Sequence, residues 1–358
     1  MVNALDTLSP NPILGPWDTI HSLTLTFVGE WEDSFDPAQS AFGRIPPNVT
    51  SLQLHLPEYN YMRETRDIPL HLPHSILERL TSFSISCDWD GNQLPMVLQH
   101  CVNVEDLKIN FKNDTSCTWY DSDDDSTQEY IESGLVLPKL RTLCLQKARP
   151  WALNILRLLK TPILTSLALE FSQNEDDIYD HSFPKTLREF ITERSGCEGT
   201  FRRLHLDSFE CEEGVLKSAM RALPSITHLT LNYPKIHSST RNWAPVILSE
   251  LYASNFHDPS RLLPNLESLQ LLNLDPMMHF SPSIYDVSYF LDSRRKFDKT
   301  KNWADEDVFI GPPDTLKELV MTFQETRRYS EHKLDLAPAF MSTYKAFALF
   351  LVNLAIPA

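Results

Sequence analysis

The sequence predicts an α/β solenoid, with about ten parallel strands on a concave face and helices and irregular loops on the convex face. Three observations predict it. An apolar spacing, L-x-x-L-x-L, occurs ten times when Ile, Val, Phe or Met may replace Leu. The shortest intervals between matches are 24 residues, within the roughly 20–29 of a leucine-rich repeat. Between matches the pattern switches to helical spacing, which would carry the chain back to the start of the next strand. The predicted architecture is therefore a leucine-rich-repeat solenoid.

The matches begin with Ile20/Leu23/Leu25, Val49/Leu52/Leu54, Leu80/Phe83/Ile85, Val104/Leu107/Ile109 and Leu140/Leu143/Leu145. They continue with Leu164/Leu167/Leu169, Phe201/Leu204/Leu206, Ile226/Leu229/Leu231, Leu266/Leu269/Leu271 and Leu316/Leu319/Met321. With the first apolar residue as position one, positions four and six lie on one side of a strand and are expected inside. An eighth position is aromatic in Phe27, Phe111, Phe171, Tyr233 and Phe323, which predicts a stacked core layer. The ninth lacks the usual Asn or Cys, so the turns must satisfy their amides in another way.

Between the matches, Pro150 opens an expected helix through Lys160, stopped by Pro162. Glu212 to Leu223 has acidic residues first, then Val215, Leu216, Ala219 and Met220 at helical spacing, and Pro224 after it. Residues 243–256 and 284–297 repeat the pattern inside the two longest intervals. Leu187, Phe190 and Ile191 fit a helix stopped at Gly196, because residue 187 lies too close to Phe201 for another coil. Segments 29–47 and 112–138, the latter with the run Asp121 to Asp125, are expected to pack least; Ser122 there would suit an acidophilic kinase. The expected organisation is a lead-in over 1–19, a solenoid over 20–335 with insertions at 29–47, 112–138, 234–262 and 275–312, and a capping helix over 336–358. The apolar run at 346–352 in that last segment is too short for the roughly 20 residues of a membrane span.

A formal net charge of -16 repels nucleic-acid phosphates and anionic membrane, which leaves a basic protein as the electrostatic match. The six cysteines include no C-x-x-C pair and are too sparse for a disulfide scaffold, so reduced thiols and a cytoplasmic or nuclear setting are expected. No basic residue precedes Arg44, unlike a secretory leader.

Two phrases, Leu98-Gln99-His100-Cys101-Val102-Asn103-Val104-Glu105-Asp106-Leu107-Lys108-Ile109 and Leu263-Pro264-Asn265-Leu266-Glu267-Ser268-Leu269-Gln270-Leu271, resemble repeats of F-box/leucine-rich-repeat proteins, especially the irregular fungal type. In that family the F-box binds the adaptor of a cullin-type ubiquitin ligase and the repeats hold a substrate. Here the first repeat starts at Ile20, so the resemblance implies the substrate-holding half alone, without direct binding of the adaptor. Leu72-Pro73 to Leu80 is similar to an F-box opening but runs straight into the strand predicted at Phe83, and reads as the lead-in to a repeat.

No nucleophile elbow, phosphate loop, dinucleotide fingerprint or zincin motif occurs, and nine glycines are few for phosphate-cradling loops. His71 and His74 straddle Pro73 without a third ligand nearby in sequence, and no cofactor or metal is expected. The basic cluster Arg294, Arg295, Lys296, Lys299 and Lys301 suits a solvated helix end or a nuclear-import patch.

Positions three, five and seven form the other strand face and are mostly small and polar. Charge and imidazole gather where Arg203, His205, Asp207, His228 and Thr230 fall on adjacent strands. This patch is the candidate partner-binding site; a solvated face with local ion pairs would use the same residues. The expected function is a non-enzymatic protein-interaction scaffold that recognises a ubiquitin-ligase substrate. A leucine-rich-repeat regulator of a signalling protein such as a GTPase, and an enzyme with a site assembled from distant residues, are the alternatives.

Overall fold

The computed structural model describes residues 19–27, 40–56, 70–86, 93–111, 130–172, 182–237, 248, 251, 262–274, 298–301, 307–310 and 316–324. The acidic run at 121–125 with Ser122, most of the segments at 243–256 and 284–297, the cluster at 294–296 and the segment at 336–358 lie outside them. Leu248 and Leu251, within 243–256, are helical and buried.

The chain divides into two compact units, residues 1–174 with 189–201, and residues 175–188 with 202–358. In the first, β1 (Ser22–Thr26), β2 (Ser51–His55), β3 (Ser82–Ser86), β4 (Asp106–Asn110), β5 (Thr142–Ala148) and β6 (Ser166–Phe171) pair in sequence order, all parallel. In the second, β7 (Arg203–Asp207), β8 (His228–Asn232), β9 (Ser268–Leu274) and β10 (Glu318–Phe323) do the same. These are the ten strands of the parallel sheet, one for each sequence match. The fold is a leucine-rich-repeat solenoid.

Register explains why so few residue types recur. In each pair, position four sits opposite position four and six opposite six, as in Leu107 with Leu143 and Ile109 with Leu145. Phe83, Ile85, Leu107, Ile109, Leu143, Leu145, Leu167 and Leu169 are all at most 1% exposed, and form two continuous apolar rows in the first unit. Leu204, Leu206, Leu229, Leu231, Leu269 and Leu271 are the equivalent rows in the second. Each such side chain contributes about 1.5–3 kcal/mol by burial. In β1, Leu23 and Leu25 are only half-buried.

The strand entrance is fixed by a second position that the apolar spacing does not show. The carbonyl of His21 accepts from the amides of both Thr50 and Ser51; those of Thr50, Thr81, Glu105 and Arg141 do likewise for the next repeat. Arg202, Thr227 and Glu267 repeat this in the second unit. Where position two is threonine the hydroxyl joins in, as Thr165 Oγ1 donates to Arg141 O at 2.9 Å and Thr227 Oγ1 to Arg202 O at 3.2 Å. Where it is charged, cross-repeat ion pairs form: Lys317 Nζ lies 2.9 Å from Glu267 Oε2.

The strand exit answers the missing Asn or Cys. The ladder continues one step, with Phe27 N donating to His55 O, Leu56 N to Ser86 O, Phe111 N to Gln146 O and Tyr233 N to Leu272 O. The expected aromatic layer at position eight holds only in part. Phe111 and Phe171 are buried and Phe27 is half-buried against Phe42, but Tyr233 is 42% exposed. The cause is backbone conformation. Lys147, Ser208, Tyr233 and Asn273, all at position eight, have positive φ of 46 to 56°. Each turns its own side chain away from the core and passes the inward place to position nine, where Ala148, Phe209 and Leu274 are 0% exposed and Pro234 is buried. Pairing of Ala148 with Phe171 shows the inserted residue as a register shift. Phe209 fills its place against Phe183, ring centroids 5.0 Å apart.

The helices α1 (His74–Leu77), α2 (Gln93–Leu98), α3 (Ile155–Leu158), α4 (Ser182–Arg188) and α5 (Glu213–Ala222) are short. Among the described residues α5 alone fills its predicted length, and it buries Val215, Leu216, Ala219 and Met220 as the spacing required. The helix expected over Pro150 to Lys160 is instead a 3-10 turn at Pro150–Asn154 followed by α3, because Leu159–Lys160 turns extended and pairs with Leu135–Val136. Segments 29–47 and 112–138, expected to pack least, contain buried Phe42, Ile45, Leu135 and Leu137; these apolar side chains outweigh the polar composition around them. The region of residue 187 is helical as expected, in α4 and a π-helical turn at Glu189–Arg194, with Gly196 beyond it at φ +60°. Leu72 to Leu80 contains the single turn α1 and leads into β3. The insertion at 275–312 contains an antiparallel pair, Asp298–Lys301 with Asp307–Ile310.

Phe209→Ala is expected to lower the unfolding free energy by about 3–5 kcal/mol, and Tyr233→Ala by less than about 0.5 kcal/mol. Urea denaturation followed by far-UV circular dichroism compares them, and equal losses would refute the shift of the inward place from position eight to nine.

Candidate functional site

The five candidate residues occupy the outward face of β7 and β8 in the second unit, where period two places positions three, five and seven opposite the apolar rows. Register aligns Arg203 with His228, His205 with Thr230, and Asp207 with Asn232. On the far side of β8, Ser268 and Gln270 of β9 follow, then Glu318 and Val320 of β10. The sheet thus brings the five side chains into neighbouring rows, as the repeat spacing implied.

Their hydrogen bonds divide them into two groups. Asp207 belongs to a ladder across the strands. Its Oδ1 accepts from Ser208 Oγ at 2.9 Å and its Oδ2 from Asn232 Nδ2 at 2.7 Å. Asn232 Oδ1 in turn accepts from Asn273 Nδ2 at 2.8 Å, and Asn273 N donates to Thr322 Oγ1 at 2.8 Å. The carboxylate therefore ends a run of amide donors, and its side chain is 23% exposed. His205 Nε2 lies 3.9 Å from Asp207 Oδ2, too far for a hydrogen bond, and its side chain is 41% exposed.

The others face their own neighbours or solvent. His228 Nδ1 and Thr227 Oγ1 are 2.8 Å apart, and Thr230 Oγ1 donates to Gln270 Oε1 at 3.4 Å. Arg203 is exposed and makes no side-chain hydrogen bond or ion pair among the described residues. Farther along the face, Ser268 Oγ donates to Glu318 Oε2 at 2.5 Å.

Sequence reasoning missed Asn232, Asn273 and Gln270. A search for asparagine at position nine alone finds none, because Asn232 stands at seven and Asn273 at the left-handed eighth position. A polar residue at position seven in nearly every repeat was the available signal. The first unit has a corresponding row: Asn110 Nδ2 donates to Gln146 Oε1 at 3.5 Å, and Gln146 Nε2 to Glu170 Oε2 at 2.7 Å. There too a carboxylate ends the run.

No protein-family model matches the chain, and no curated protein matches it. Among solved structures it is similar to the leucine-rich repeat-containing protein LegL7 from Legionella pneumophila, at 16% identity and a TM-score of 0.41, over 94% of this chain and 95% of that one.

Burial shifts the thiols of the described cysteines upward. Burial pushes the Cys101 thiol up to about 12 and the Cys197 thiol up to about 11, and it raises Cys211 as well. Cys144, half-buried on the outward face of β5, is also raised by burial; Lys108 opposes this and Glu170 adds to it. Thiols held protonated are poor nucleophiles. His74 stacks on His100 with ring centroids 3.5 Å apart. Burial and the neighbouring His74 lower the His100 pKa, against Glu78. No group of three metal-ligating side chains occurs among the described residues, nor any helix there long and apolar enough to cross a membrane.

Asn232→Ala removes the middle of the ladder and leaves Asp207 Oδ2 and Asn273 Nδ2 without these partners. It should cost about 1–3 kcal/mol in urea denaturation, whereas Thr24→Ala on the exposed β1 face should cost less than about 0.5 kcal/mol. Under native conditions at neutral pH a thiol reagent should modify Cys144 before Cys101, Cys197 and Cys211, with rates rising as pH increases toward the raised thiol values. Mass spectrometry of the labelled peptides checks the order.

Proposed function

We propose that the chain is a non-catalytic scaffold whose outward sheet face in the second unit holds a protein partner through Arg203, His205, His228 and Thr230. The observation that carries this reading is the in-register array itself. Side chains at positions three and five from successive strands stand in parallel rows on a backbone fixed by its own ladder. Such a surface offers many contacts with little ordering cost, and a few of them supply most of the affinity. Asp207 contributes by holding β7 and β8 in register rather than by meeting the partner.

The narrower reading is that the partner is a substrate of a cullin-type ubiquitin ligase, in an F-box-like setting in the cytoplasm or nucleus. Its support is the resemblance of residues 98–109 and 263–271 to repeats of that family, together with four cysteines that are free among the described residues, three of them buried. Fixed positions for unpaired thiols fit a reducing compartment.

Thr230→Trp places a bulky ring in the middle of the face. Affinity capture of the full chain from its source cells should recover a partner that Thr230→Trp loses and that Lys185→Trp, on the exposed side of α4, retains. The recovered partner should accumulate when cullin ligases are inhibited. Equal recovery by all three proteins would remove this face as the binding site, and a partner indifferent to the inhibitor would remove the ligase setting.

A further inference from the structure

Resting on the reading of this face as a partner site, we propose that the partner docks an extended segment on β9 and β10, with an apolar side chain over Leu272 and Val320 and a lysine or arginine two residues away at Glu318. The outward face is otherwise polar or small. Across positions three, five and seven of all ten strands, Leu272 and Val320 are the only large apolar side chains. Register brings them together. Leu272 lies opposite Asn232 and Val320 opposite Gln270, so the two stand diagonally across adjacent strands.

Both are half-buried, as are Thr230, Asn232 and Gln270 around them, so a ligand that reaches those polar groups reaches this pair as well. Tyr233 borders it, with its amide donating to Leu272 O and 42% of the residue exposed. Apolar side chains at the centre and polar ones at the rim are the anatomy of a protein interface. A polar group set over Leu272 and Val320 would lose water without gaining a partner, whereas an apolar one is stabilised by burial.

Charge selects the flanking residue. Glu318, two residues before Val320 on the same side of β10, is exposed; its Oε2 accepts from Ser268, and its other oxygen makes no hydrogen bond among the described residues. Lys317 beside it is engaged by Glu267. Arg203 lies three strands away, roughly 14 Å at the usual strand spacing, and charge is screened beyond about 8–10 Å in physiological salt. The net charge of -16 acts in the same direction as Glu318. Alternate residues of an extended segment lie about 6.6 Å apart on one side. Glu318 and Val320 share that spacing, so a basic and an apolar residue separated by one other match both at once.

The test uses the full chain and three fluorescein-labelled peptides of the repeating form Lys-Ser-Leu-Ser, Lys-Ser-Ser-Ser and Glu-Ser-Leu-Ser, read by anisotropy. The Lys-Ser-Leu-Ser peptide should bind best. Leu272→Ser and Val320→Ser should each weaken it roughly tenfold and Glu318→Gln roughly threefold, while Glu193→Gln, outside the sheet, should leave it unchanged. Equal binding of either other peptide, no binding up to about 1 mM, or indifference to Leu272→Ser and Val320→Ser would each overturn the proposal. Self-association of the chain that Leu272→Ser abolishes would overturn it too, by placing a second copy on the patch. Urea midpoints confirm that the variants fold. The two failures are separable. Partner capture lost on Thr230→Trp but kept on Leu272→Ser retains the scaffold and discards the apolar anchor, whereas capture unaffected by Thr230→Trp discards the face itself.

Discussion

A doubly accepting carbonyl at the second position of eight of the repeats sets the register on which the rest depends. When His21, Thr81 or Arg202 accepts two successive amides from the following repeat, that repeat can neither slip by one residue nor reverse. A one-residue slip would exchange the two faces of a strand and expose leucines that are now fully buried. Burial and the ladder therefore enforce the same alignment: the apolar rows need the register, and the paired amides supply it even where the intervening segment reaches 50 residues. Position two is polar in all ten repeats, and its side chains add to the same joint through threonine hydroxyls or cross-repeat ion pairs.

Given that register, the exit from each strand has two solutions. Where position eight stays extended, as at Phe111 and Phe171, a large aromatic enters the core directly. Where it adopts a left-handed conformation, one residue is spent on the turn, and the next, Ala148, Phe209, Pro234 or Leu274, enters instead. For a non-glycine residue this conformation costs about 1–2 kcal/mol. It persists because the buried residue that follows and the amide bonds at the exit offset that cost. Tyr233 shows both sides of the exchange: its ring is exposed while its amide donates to Leu272.

Much of this was legible in the sequence, and what was not has a common cause. The ten strands, their inward positions four and six, helix α5 and the helical region around Leu187 follow from periodicity within one segment, because burial imposes periods of 2 and 3.6 on the segment alone. The left-handed turns did not announce themselves, since Lys147, Ser208, Tyr233 and Asn273 share no glycine-like signature. The early end of the helix after Pro150 required a partner, Leu135, inside the insertion at 112–138. At the candidate site the sequence placed the five residues on adjacent strands, but the ladder that sets Asp207 apart from the other four depends on Asn232 and Asn273 in neighbouring repeats. Pairing across intervals of 25 and 40 residues is visible only once the register is known.

That division changes what the net charge says about a partner. An acidic chain suggests a basic ligand when its carboxylates are free to meet one. On this face Asp207 and Glu318 accept hydrogen bonds from side chains of the protein, so they tie neighbouring strands together as well as carrying charge, and part of their acceptor capacity stays open. Arg203 is exposed and has no side-chain partner among the described residues. The ladder and the exposed guanidinium are thus two parts of one arrangement, in which the seventh row uses its polar groups to hold β7 to β9 together while Arg203, at the third position, stays exposed.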